Sequence, residues 1–120
     1  MAFCTRVSFV LSLWFLLFSP VWAQDQHTLN RQAHEDFLQA DKKLNQTYRA
    51  LLPHLQPQEK EALVEAELLW IQFRDASARA RAEINTGGSL YPMIFDGQRK
   101  RTTQNRTAEL QEWLDELKSP

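Results

Sequence analysis

The side chains that could carry chemistry in this sequence are few and poorly grouped. His27, His34 and His54 are the only histidines. His27 and His34 are seven residues apart and would share one face of a helix, but no acidic residue is placed to complete a metal site with them. We therefore expect surface histidines, no bound metal and no cofactor.

Motifs for nucleophilic catalysis and phosphate binding are also missing. No serine lies in a nucleophile elbow, and no glycine-rich loop of the P-loop type occurs. The many Asp and Glu residues fall mostly on predicted solvated helix faces, whereas paired catalytic carboxylates need a cleft. The sequence therefore predicts a protein that is not an enzyme and has no catalytic residues.

Four polar residues lie beside apolar stripes of the predicted helices. Asp41 and Asn45 are four residues apart on the first helix, Arg74 lies on the second and Arg106 on the third. A charge-assisted hydrogen bond from either arginine to Asp41 would satisfy both partners. We interpret these four residues as a structural polar tie between helices.

The run Arg99-Lys100-Arg101 forms a local basic patch. Two interpretations stay open, which are a solvated helix face and a docking site for an acidic protein or an envelope polyanion. The whole chain is close to neutral, with 14 Lys and Arg against 15 Asp and Glu. This balance argues against a general nucleic-acid or membrane-surface binder.

The first 23 residues have the three parts of a secretory signal peptide. Arg6 supplies the positive charge, Val7 to Phe18 are almost unbroken apolar residues, and Val21-Trp22-Ala23 has the form of a cleavage site. An uncleaved anchor is the alternative, but a spanning helix needs about 20 apolar residues, more than this run provides. We expect cleavage after Ala23, a periplasmic or secreted location, and a single domain over residues 24–120.

That domain is predicted to be all-α. Apolar residues recur at steps of three and four from Thr28, a plausible N-cap, to Leu52. A second helix begins near Pro57 and ends before Gly87, and a third begins at about Pro92. We predict a small bundle of two long antiparallel helices and a third packed helix, with the core aromatic residues Phe37, Tyr48, Trp70, Phe73 and Trp113.

Four motifs occur in order along this domain. They are Ala40-Asp41-x-x-Leu44-Asn45-x-x-Tyr48, Trp70-x-x-Phe73-Arg74-Asp75-Ala76, Gly87-Gly88-Ser89-Leu90-Tyr91-Pro92-Met93 and Thr103-x-x-Arg106-x-x-x-Leu110. Together they resemble the lysozyme inhibitor LprI-like N-terminal domain family of bacterial exported proteins. The resemblance covers about residues 29–117 and implies an all-helical fold, an envelope location and no catalytic residues.

One departure from the family pattern concerns cysteine. Members commonly carry cysteine where this chain has Gln32, Ala78 and Gln98, and Cys4 is the only cysteine here. The resemblance implies that a disulfide between the second and third helices, at Ala78 and Gln98, has been lost. Packing must then replace a cross-link of about 2–4 kcal/mol.

The resemblance also implies a protein-binding module that inhibits a cell-wall hydrolase such as lysozyme. Such inhibitors commonly insert an exposed loop into the cleft of the enzyme, and Gly87-Gly88-Ser89-Leu90-Tyr91-Pro92 is the longest predicted loop. Tyr91 would be its aromatic anchor, and Ser89 would hydrogen-bond to a catalytic carboxylate. The alternative is a simple helix connection with Tyr91 packed inward.

Two other functions remain open from the sequence. One is a periplasmic immunity or accessory protein that binds a different envelope enzyme or toxin. The other is a structural protein of the envelope that binds polyanions through Arg99, Lys100 and Arg101. The oligomeric state has no signature in the sequence.

Overall fold

The computed structural model describes residues 21–120, so the predicted signal peptide lies almost entirely outside the described residues. Short connections join three long helices, which are α1 (Val21–Leu51), α2 (Pro57–Ala82) and α3 (Tyr91–Lys118). Single 3-10 turns, Leu52–His54 and Glu83–Asn85, follow α1 and α2. No strand occurs within residues 21–120, and the predicted all-α bundle is confirmed.

The first helix begins earlier than predicted. It starts at Val21 and passes through Thr28, so Thr28 is not its N-cap. Residues 21–27 contain no glycine or proline, and Ala23, Gln24 and Gln26 are good helix formers, so nothing local interrupts the helix. The predicted cleavage point after Ala23 therefore lies within α1.

The start of α2 follows the expected rules closely. Pro57 occupies the first helical turn, where its missing N–H costs nothing. The backbone N–H of Gln56 donates to Glu59 Oε1 at 3.0 Å, and the Gln56 side chain accepts from the backbone N–H of Glu59, which completes a capping box. The third helix begins at Tyr91 and runs without a break through Gly97.

The third helix is central, since it makes extensive contacts with both α1 and α2, while α1 and α2 touch each other much less. The buried core is a cluster of leucines with Tyr48, Trp70 and Trp113 packed against it. Burying each leucine contributes about 2 kcal/mol. The cluster consists of Leu44, Leu51, Leu55, Leu63, Leu110 and Leu114.

The expectation for Phe73 is wrong, because its side chain is 61% exposed instead of lying in the core. The residue that α2 buries at this level is Arg74, and Leu63 and Ala78 are buried on the same side. Apolar residues point in most directions around α2, so their spacing does not identify the side that packs on α3. Within the described residues, no helix has the length and apolar character needed to cross a membrane.

Candidate functional site

A network of charged side chains surrounds Phe37 and joins all three helices. Phe37 is buried on α1, and Arg74 and Arg99 lie over its ring with guanidinium carbons 5.2 Å and 3.7 Å from the centroid. Trp70 lies 5.3 Å from the Arg74 guanidinium on another side. Arginines stacked on rings gain cation–π attraction while their hydrogen-bond donors stay free for carboxylates.

The two arginines share their carboxylate partners. Arg74 donates from Nε to Asp75 at 2.9 Å and from Nη1 to Asp41 at 3.3 Å. Arg99 donates to Asp96 at 3.0 Å, and its Nε is 3.3 Å from Asp75. Asp75 on α2 therefore joins the two arginines of α2 and α3 in one network.

The structure brings together three of the four residues assigned to the polar tie. Arg74 pairs with Asp41, and Asn45 donates to the other Asp41 oxygen at 3.4 Å. Arg106 is not part of this group, since it contacts Glu67 on α2 at 2.6 Å and Glu109 at 2.9 Å. Burial disfavours the charged form of Arg106, but hydrogen bonds to Glu109 and Glu67 outweigh it and raise its pKa.

The predicted basic patch is divided in the structure. Arg99 lies inside the network described above, and Lys100 pairs with Asp36 at 3.1 Å. Hydrogen bonds from Gln32 and Lys100 hold the pKa of Asp36 below its usual value. Arg101 is exposed, so the run does not present three free charges on one surface.

Among the histidines, His27 and His54 are exposed, and His34 Nδ1 lies 3.0 Å from the buried carboxylate of Asp96. Within residues 21–120, no group of three His, Cys, Asp or Glu side chains has the arrangement of a metal site.

The charge network predicts acid sensitivity. Burial alone would raise the pKa of Asp75, but hydrogen bonds and charges from Arg74 and Arg99 outweigh it and hold the pKa below 3.8. A depressed pKa stabilises the fold above the unfolded value and loses that contribution as the pH falls through the folded value. We expect the free energy of unfolding to decrease as the pH falls below about 3.8.

Urea unfolding between about pH 2.5 and 6 measures this effect. Asp75→Asn should make the free energy of unfolding depend less on pH, and it should also lower the stability at neutral pH. An Asp75→Asn protein with the same pH dependence as the wild type would show that another group is responsible.

The connection between α2 and α3 is a compact turn at one end of the bundle. Gly87 has a φ of 78°, which a residue with a side chain rarely adopts. The Gly88 N–H donates to the Asn85 carbonyl at 2.9 Å, and the Tyr91 N–H donates to the Gly88 carbonyl at 3.3 Å. Successive backbone bonds therefore fix the turn.

A side chain of α1 also fixes this turn from the side. Asn30 Nδ2 donates to the carbonyl of Ser89 at 2.9 Å, and Asn30 Oδ1 accepts from Gln26 at 2.9 Å. Gln26 thus orients the amide that binds the turn. The role of Asn30 could not be predicted from the sequence, because a single Asn on a helix has no pattern that distinguishes it.

Tyr91 is neither a fully exposed anchor nor a side chain packed inward, the two alternatives left open by the sequence. It is partly buried at the start of α3, and its ring stacks on Phe95 with 5.8 Å between centroids. The Arg99 guanidinium lies 5.2 Å from the centroid of the Phe95 ring and also contacts the Phe37 ring. A column of rings and guanidinium groups therefore connects the turn to the charge network.

Two exposed apolar side chains lie beside this turn in the sequence, Ile84 and Leu90. Ile84, in the 3-10 turn after α2, is 93% exposed, and Leu90, next to α3, is 41% exposed. The helix α2 ends at Ala82, so Ile84 does not continue the side of the helix that packs in the bundle. We call Ile84 and residues 86–91 the tip. The tip combines a fixed backbone with exposed apolar side chains, as a protein-binding surface requires.

A concave surface lies between α1 and α3, on the side of Lys100 and Asp36. It is a groove of about 640 Å³ whose other lining residues include Gln39, Lys43 and Gln104. Seven of its nine lining residues have polar or charged side chains, and the groove is open to solvent. Two of the charged residues, Asp36 and Lys100, already pair with each other. This groove lacks the apolar enclosure typical of a small-molecule site.

Comparison with known proteins identifies the family of this chain. The family model for the lysozyme inhibitor LprI matches residues 21–110, which include α1, α2 and most of α3. The chain is also similar to an uncharacterised protein of Rhizobium meliloti (strain 1021), with 34% identity over 78% of this chain and 76% of that protein. No solved structure matches. The chain belongs to the LprI lysozyme inhibitor family.

Proposed function

We propose that this protein is an exported inhibitor of a cell-wall hydrolase of the lysozyme class, and that the tip enters the active-site cleft of the enzyme. The observation that carries the proposal is the turn itself. Its backbone is held by its own hydrogen bonds and by Asn30, while Ile84 and Leu90 project from it. A turn that is already ordered loses little conformational entropy on binding.

The two side chains first assigned to recognition have different roles in this proposal. Ser89 is exposed, so its hydroxyl is free to donate to a carboxylate of the target enzyme. Tyr91 supports the turn by stacking on Phe95, and only part of its ring is available to a partner. Ile84 and Leu90 take over as the apolar anchors, since more of their surface is open.

Membership of the LprI family supports the choice of target. Export supports it as well, because the predicted signal peptide would deliver the protein to the compartment where cell-wall hydrolases act. The polyanion alternative has less support, since Arg99 and Lys100 are engaged in ion pairs.

The direct test is an inhibition assay with the protein purified after export, against several lysozyme types. We expect inhibition of at least one type at close to one inhibitor per enzyme, with an inhibition constant on the order of 1 µM or below. Failure to inhibit any of them would overturn the lysozyme proposal. In that case capture of a partner from periplasmic extract would test the immunity or accessory function.

A further inference from the structure

The helix α2 carries a row of apolar side chains that no other helix covers. The two large members, Leu69 and Phe73, are 59% and 61% exposed. The others are alanines, also exposed, and steps of four and three residues separate all members. We call them the α2 row, which consists of Ala62, Ala66, Leu69, Phe73, Ala76 and Ala80.

The α2 row is distinct from the surface that packs inside the bundle. At 100° per residue, it lies roughly 120° around the helix from the side that holds Leu63, Arg74 and Ala78. Alternating steps of four and three over nearly three heptads form the repeat with which two helices pair in a coiled coil. A surface of this kind is complementary to another helix with the same repeat.

The charges beside the row indicate which helix that is. Glu65, Gln72 and Arg79 follow one edge of the row at intervals of seven residues, and all three are exposed. In an antiparallel pair of α2 helices, Glu65 of each copy would lie beside Arg79 of the other. Gln72 would meet its own counterpart at the two-fold axis. In a parallel pair, this edge of one α2 helix would instead face the opposite edge of the other. That opposite edge turns toward α3, so neither the Glu65–Arg79 pair nor the Gln72 pair would form.

The side chains of the row fit the same arrangement. Leu69 of one copy would pack on Phe73 of the second, twice, on either side of the axis. Ala66 would then face Ala76, and Ala62 would face Ala80. Alanine layers allow two helices to approach to about 8 Å. Antiparallel helix dipoles add a further favourable term.

We propose that two copies of this protein form an antiparallel dimer through the α2 row. The inference is independent of the proposed function, because the row does not include the tip. The tips of the two copies would lie at opposite ends of the paired helices, so both would stay accessible. Alanine occupies four of six positions, so the buried area is modest and we expect a dissociation constant on the order of 10 µM.

Sedimentation equilibrium on the protein purified after export tests the dimer. We expect Leu69→Glu to weaken dimerisation at least 100-fold, because it places two charges at the centre of the contact. Leu68→Glu is the matched control, since Leu68 is also 59% exposed but lies on another side of α2. Circular dichroism should show unchanged helicity for both variants. A wild-type protein that is monomeric at about 1 mM, or an equal effect of both substitutions, would overturn the proposal.

Two further variants test the antiparallel arrangement without disturbing the apolar contact. Gln72→Cys should oxidise readily to a disulfide-linked dimer, whereas Gln58→Cys, an exposed site in the first turn of α2, should not. Arg79→Glu should weaken the dimer about tenfold, and adding Glu65→Arg to the same chain should restore it. No rescue by the second substitution, or equal cross-linking at both sites, contradicts the arrangement.

Discussion

Replacing both Ile84 and Leu90 by serine is expected to weaken inhibition of the target hydrolase about 100-fold. Each side chain is an exposed apolar anchor of the tip, and truncation of such an anchor typically costs about 1–2 kcal/mol of binding free energy. About 1.4 kcal/mol corresponds to a tenfold change in the inhibition constant, so two anchors account for the expected loss. Neither residue belongs to the buried leucine core, so we expect both substitutions to leave the fold intact.

The control for this prediction is Leu117→Ser. Leu117 is 41% exposed, the same fraction as Leu90, but it lies in the last turn of α3 at the other end of the helix. Inhibition constants and thermal unfolding should be measured for both proteins. Wild-type inhibition by the Ile84→Ser, Leu90→Ser protein would exclude the tip as the binding surface, even if the protein inhibits lysozyme.

The second large effect concerns Arg74. Its side chain is 8% exposed and it links Asp41, Asp75, Phe37 and Trp70. Arg74→Ala would leave Asp41 without its cation, leave Asp75 with Arg99 alone, and open a cavity between the rings. Removing one partner of a buried pair typically costs 3–5 kcal/mol, and partial exposure of the two carboxylates puts the expected loss at about 3 kcal/mol. The total stability of a small domain is roughly 5–15 kcal/mol, so this loss is severe.

Urea unfolding followed by circular dichroism measures this loss. Arg74→Lys should recover only part of the stability, because an ammonium group cannot contact both carboxylates and stack on a ring at the same time. Arg81→Ala, at an exposed site near the end of the same helix, should change the stability by less than about 0.5 kcal/mol. A loss below about 1 kcal/mol for Arg74→Ala would mean that the network contributes little to the fold.

The sequence predicts the helix boundaries best where single residues have strong local effects. Pro57 starts α2 and Gly87 turns the chain after it. Proline fixes its own φ angle and glycine can adopt positive φ, so each acts without help from other residues. The first turns of α1 were missed, since no residue from 21 to 27 interrupts a helix. The all-α bundle follows from the same local preferences.

The side chains that form the site were harder to predict, because their positions depend on how the helices pack. Periodicity favoured Phe73 as a core residue, yet α2 is rotated so that Arg74 is buried and Phe73 is exposed. The spacing allowed Arg74 or Arg106 as the partner of Asp41, and only the three-dimensional arrangement gives Arg106 to Glu67. Ile84 lies in the tip because α2 ends two residues before it, and this end could not be located from the apolar spacing alone.

The central position of α3 has a consequence for how the chain folds. Contacts between α2 and α3 join residues about 39 positions apart, as in Glu67 and Arg106, whereas Asp36 and Lys100 join α1 to α3 across 64 positions. Loop-closure entropy grows so slowly that doubling a loop costs only about 0.6 kcal/mol. The docking of α1 onto α3 is therefore hardly slower than that of α2 for entropic reasons, although α3 is synthesised after both of the other helices. We expect a helical chain with this topology to fold within roughly microseconds to milliseconds once α3 is complete.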